Sequence, residues 1–85
     1  MPDLRSEFEQ ATRDAKALSK RPDNDSLLKL YALYKQSTEG DQKAAQPGFF
    51  DFIGQAKHEA WARLQGVAPE EAMRRYIALV HQLTA

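Results

Sequence analysis

Apolar residues fall on helical spacings along most of the chain. Leu4, Phe8, Ala11, Ala15 and Leu18 recur at alternating steps of four and three, which draws one stripe on a helix that Asp3 can cap. Lys20-Arg21-Pro22-Asp23-Asn24-Asp25 interrupts the pattern, because Pro22 disfavours helical geometry at Arg21 and Asp23 or Asn24 can cap a new helix. This second helix starts near Asp25 and carries Leu27, Leu28, Leu30, Tyr31, Leu33 and Tyr34, an apolar arc wider than one contact face needs. From Glu39 to Gly48 there are two glycines, one proline and no periodicity, so this stretch predicts a loop. Its length suits a crossover between helices that are not antiparallel neighbours. Phe49, Phe50, Phe52, Ile53, Ala56, Ala60, Trp61 and Leu64 then predict a third helix, clearest after Gly54 and ended by Gly66. Pro69, Glu70 and Glu71 suit the first turn of a fourth, whose stripe is Ala72, Met73, Tyr76, Ile77, Val80 and Leu83. Ala68 is a poor cap, so this helix start is expected to fray. With no strand-like alternation or repeat, the expectation is one all-α domain of four helices.

Composition narrows the picture. A chain of 85 residues buries only about two thirds of its unfolded surface. Without cysteine it has neither disulfide nor thiolate metal site, and packing must hold it together. Twelve Lys and Arg balance twelve Asp and Glu, which removes the global positive field of a nucleic-acid binder and requires any anion site to be local. Met1-Pro2-Asp3-Leu4-Arg5 lacks the pattern of an export signal, and no apolar run approaches the roughly 20 residues of a membrane span. The expectation is a cytoplasmic chain with no stable membrane insertion.

Candidate chemistry is sparse. Tyr31, Tyr34 and Lys35 stand at i, i+3 and i+4, so two rings and an ammonium project from neighbouring positions. Hydroxyls and an ammonium suit phosphate oxygens and a ring face suits a purine, but core tyrosines beside a solvated lysine produce the same spacing. Lys57 and Trp61, at i and i+4, could add a second cation for that anion if the helices converge, but their spacing alone favours an exposed lysine beside a core tryptophan. Lys16 and Tyr76 are similar cases. His58 and His81 have no partner at metal-ligand spacing, and no serine sits in a nucleophile motif. No catalytic residue and no metal site is expected.

Taken in order, Leu30-Tyr31-Ala32-Leu33-Tyr34-Lys35-Gln36-Ser37-Thr38-Glu39-Gly40-Asp41, Pro47-Gly48, Asp51-Phe52, Ala56-Lys57, Ala60-Trp61, Glu71-Ala72-Met73 and Tyr76-Ile77 strongly resemble the acyl-CoA-binding protein family, essentially without gaps. The resemblance implies a single acyl-CoA-binding domain over residues 1–85, folded as an up-down-down-up four-helix bundle with the long loop crossing between helices two and three. It implies a non-enzymatic intracellular carrier of long-chain fatty acyl-CoA, with that thioester as ligand and no cofactor. A monomer that docks transiently to acyl-CoA-using enzymes is expected. Tyr31, Lys35 and Lys57 would contact the ribose 3′-phosphate and Tyr34 the adenine. Lys16 and Tyr76 would complete the groove, and Ala32 and Leu33 fall in the same contact segment. Phe8, Ala15 and Leu18 would pack helix one on Tyr76, Ile77, Val80 and Leu83. Four positions depart from the family pattern: Ile53 stands where many members carry lysine, Gln46 replaces an arginine, His58 a tryptophan and Ala68 a Ser or Thr cap. Ile53 shifts the expected affinity toward apolar burial and places more of the charge recognition on Lys35 and Lys57. A helical protein-interaction module is the alternative reading.

Overall fold

The computed structural model describes residues 3–43 and 45–84; Met1 and Pro2 of the predicted start, Ala44 of the loop and Ala85 at the end of the expected domain lie outside the described residues. Four helices succeed one another: α1 (Leu4–Lys16), α2 (Asn24–Glu39), α3 (Phe52–Ala62) and α4 (Pro69–Thr84). No strand occurs among the described residues. The architecture is the all-α four-helix bundle read from the sequence, with residues 40–51 carrying the crossover.

Aspartates start three of the helices. Asp3, Asp23 and Asp51 accept from the backbone N–H of Ser6, Ser26 and Gly54 at 2.8, 2.7 and 2.9 Å, satisfying donors that have no partner inside the helix. Pro69 is the first residue of α4, and the Ala68 carbonyl accepts from Ala72 N–H, so the backbone begins this helix without a polar cap side chain at 68. At two chain reversals the backbone requires glycine: Gly40 closes α2 at φ 80° and ψ −149°, and Gly66 precedes α4 at φ 87°.

The core lies between α1, α2 and α4. Phe8 and Ala11 meet Leu30 and Leu33, and Ala72, Met73, Tyr76 and Val80 complete it. Ala15, Ile77 and Leu83 pack on this cluster as expected, whereas Leu18 falls beyond the end of α1, beside Leu83. Helix α4 contacts both α1 and α2, while α3 packs on α2 alone. This narrows the Phe49–Leu64 stripe: Phe49 and Phe50 lie in the turn before α3 and are 77 and 82% exposed, while Phe52 and Ile53 are 69 and 71% exposed, because a helix with one neighbour buries only one face. Leu64 lies past the end of α3, in i+3 turns that bond Leu64 N–H to Trp61 O and Gln65 N–H to Ala62 O.

Candidate functional site

Helix α3 is held on α2 by a polar network around one indole. Trp61 Nε1 donates to Gln36 Oε1 at 3.0 Å and to Gly40 O at 2.9 Å. Gln36 Nε2 donates to Asp41 Oδ1 at 2.9 Å and to Val67 O at 2.7 Å, and the same Asp41 oxygen accepts from Gly66 N–H at 2.8 Å. The Asp41 carboxyl is held below its ordinary range by the Gln36 and Gly66 hydrogen bonds. The network ties α2, both glycine reversals and α3 into one unit, which fixes the cleft along the α2–α3 seam.

That cleft is an open cavity of about 480 Å³ whose lining includes Tyr31, Lys35 and Glu39 from α2, Lys57, His58 and Trp61 from α3, and Lys43 and Pro47 from the crossover. Two of its three lysines are paired crosswise between the helices. Lys35 Nζ lies 5.2 Å from the centre of the Trp61 ring, and Lys57 Nζ lies 5.2 Å from that of Tyr31. Lys35 also donates to the Glu39 carboxylate one turn on, and this bond is the main cause holding its ammonium above the ordinary lysine value. The ammonium groups of Lys35 and Lys57, with Lys43 from the crossover, and the Tyr31 phenol therefore border one opening, an arrangement suited to a phosphate.

The predicted site residues divide into three groups. Tyr31, Lys35 and Lys57 meet in the cleft just described. Tyr31 also borders an adjoining groove lined by Lys16, Tyr34, Tyr76, Leu27, Leu30 and Ala15. Tyr34 is 43% exposed, stacks on Phe8 with 5.9 Å between ring centres and lies tilted to Tyr76 at 6.5 Å. Tyr76 is buried, edge-on to Phe8 at 5.1 Å, and burial pushes its hydroxyl above the ordinary tyrosine value, with Tyr34 adding to the shift. Ala32 and Leu33 are not brought to either opening. They are 3% and 8% exposed and line a third cavity of about 570 Å³ with Leu28, Ala56, Ala60 and Leu64, rimmed by Asp25, Lys29, Glu59, Arg63 and Arg75. Each helical residue turns about 100°, so consecutive positions in the Tyr31–Lys35 segment cannot share one face.

Sequence reasoning missed the partners of this site. Glu39 is Lys35 plus four, a spacing that gives it away on any helix. Phe8 behind Tyr34 and the crossed lysine–ring pairs carry no local signal, because each joins residues far apart in the chain. Among the described residues no cluster of potential metal ligands occurs, and no helix is long and apolar enough to cross a membrane.

A four-helix bundle with an aromatic, cationic cleft beside an apolar cavity defines a class of small ligand-binding proteins. The family model for acyl CoA binding protein matches residues 5–80. Acyl-CoA-binding protein homolog 1 of Caenorhabditis elegans is 47% identical over 78 residues, covering 92% of this chain and 91% of that protein. The acyl-CoA-binding protein of Saccharomyces cerevisiae is 46% identical over 78 residues, covering 92% and 90%. The crystal structure of Oryza sativa acyl-CoA-binding protein 2 superposes with a TM-score of 0.91 at 41% identity over 95% of this chain and 90% of that one. The chain belongs to the acyl-CoA-binding protein family.

Proposed function

We propose that this chain binds long-chain fatty acyl-CoA as a non-enzymatic cytoplasmic carrier, acting as a single domain and a monomer. The observation that carries this reading is the convergence of Lys35 and Lys57, from two different helices, on one cleft bordered by Tyr31. The 3′-phosphate accepts there from both ammonium groups and the Tyr31 hydroxyl. The adenine lies against the partly exposed Tyr34, in the groove that Lys16 and Tyr76 complete. The hydrocarbon enters the apolar cavity whose walls include Leu28, Ala32, Leu33 and Ala56. The exposed Phe49, Phe50 and Phe52, just before and at the start of α3, supply a surface for transient docking of an acyl-CoA-consuming enzyme.

The two ends of the ligand act as separate filters. Each buried methylene contributes about 0.8 kcal/mol, so the chain sets affinity. The charge-assisted head-group bonds contribute about 1.5–3 kcal/mol each and reject free fatty acids. Calorimetric titration with palmitoyl-CoA, CoA and palmitate tests this. Palmitoyl-CoA is expected to bind orders of magnitude more tightly than CoA, and palmitate weakly. Equal affinity for palmitate and palmitoyl-CoA would overturn the head-group assignment.

A further inference from the structure

The two lysines that pair with rings across the cleft are not equivalent. Lys57 rests on the Tyr31 ring, whereas Lys35, lying over Trp61, also donates to the carboxylate of Glu39. An ammonium offers a carboxylate and a phosphate the same kind of charge-assisted bond, so Glu39 holds a seat that an arriving anion would need. Helix stability does not account for a glutamate at this position. Glu39 is the last residue of α2, where the helix dipole disfavours negative charge, and Lys followed by Glu is the weaker order of an i, i+4 pair. The carboxylate can also leave readily: the Glu39 side chain is 53% exposed, against 27% for Lys35, and such exposed pairs contribute little.

We propose that Glu39 is a built-in competitor for the anion site: it neutralises Lys35 in the free protein and must give up that bond when a phosphate binds, so that it holds down the affinity of the cleft for the phosphate. The inference rests on the assignment of the cleft to the CoA 3′-phosphate and adds a residue that tunes its affinity. Displacing Glu39 weakens every ligand that must use Lys35 by the same factor, and leaves a ligand without the 3′-phosphate untouched.

The test is calorimetric titration of CoA and 3′-dephospho-CoA into wild type, Glu39→Gln, Lys35→Ala and the Lys35→Ala/Glu39→Gln double variant, with far-UV circular dichroism confirming the fold of each. Glu39→Gln is expected to tighten CoA about two- to fivefold. It should leave 3′-dephospho-CoA unchanged, and its gain should shrink in the Lys35→Ala background. Unchanged or weaker CoA binding by Glu39→Gln, or an equal gain for 3′-dephospho-CoA, overturns the proposal. If wild type does not distinguish CoA from 3′-dephospho-CoA, the phosphate assignment itself fails and takes this inference with it. If wild type does distinguish them and Glu39→Gln fails to tighten CoA, the role of Glu39 alone is rejected.

Discussion

Gln36 is fully buried, and both ends of its amide are used: the oxygen by Trp61, the nitrogen by Asp41 and Val67. Gln36→Ala removes three hydrogen bonds at once and leaves the Val67 carbonyl without this donor, which should destabilise the fold by about 2–3 kcal/mol. Urea unfolding would show it as a lower midpoint at unchanged slope. Asp41 brings pH dependence to the same network. Its carboxyl titrates below the ordinary value of 3.8 in the folded chain, so the stabilisation it confers is complete above that value and is lost as pH falls through the depressed folded one. Acid titration followed by Trp61 fluorescence should therefore report loosening of α3 below about pH 4, and Asp41→Ala should abolish that component of the transition. In the cleft, Tyr31→Phe keeps the ring under Lys57 and deletes only the hydroxyl. If the hydroxyl bonds the phosphate, CoA binding weakens about ten- to a hundredfold, a difference that titration calorimetry resolves directly.

Among the elements, α3 departs furthest from its sequence pattern, and α4 matches its own best. Helix α4 buries Ala72, Met73, Tyr76 and Val80 against two neighbours, so its period was legible from the chain alone. The apolar run at Phe49–Ile53 carries the same signal, but Phe49 and Phe50 precede α3, α3 meets only α2, and Phe52 and Ile53 stay largely exposed. Periodicity reports that a residue is apolar, not how many neighbours its helix will find. The caps at Asp3 and Asp23 were readable because capping is local, whereas the crossed lysine–ring pairs depend on the α2–α3 register, which the Gln36–Trp61 contact fixes across 25 positions of sequence. Local rules also give a direct test of α4. Ala68→Ser supplies the missing side-chain acceptor and should stabilise the protein by about 0.5–2 kcal/mol, visible as a higher urea midpoint.

At the scale of the whole molecule, a formal net charge of zero coexists with a cleft where Lys35, Lys43 and Lys57 come together beside Glu39 and Asp41, so the positive charge offered to an anion is local. Long-range steering of an anionic ligand is correspondingly weak, and affinity must come from contact. Helix α3 bears on both contact regions: Lys57 reaches the charged cleft, while Ala56 and Ala60 face the apolar cavity on the other side of the seam. A ligand that fills both would fasten α3 to α2 more firmly than the indole network does alone. Occupancy should then appear as global stability. With free palmitoyl-CoA at about one hundred times its dissociation constant, linkage stabilises the folded state by about 2.7 kcal/mol. For a domain of this size, that corresponds to a rise in melting temperature of about 10–20 °C. CoA at the same molar concentration should give a much smaller rise, because it leaves the apolar cavity unfilled. Differential scanning calorimetry with the two ligands checks this, and equal shifts would show that the hydrocarbon does not lodge against α3.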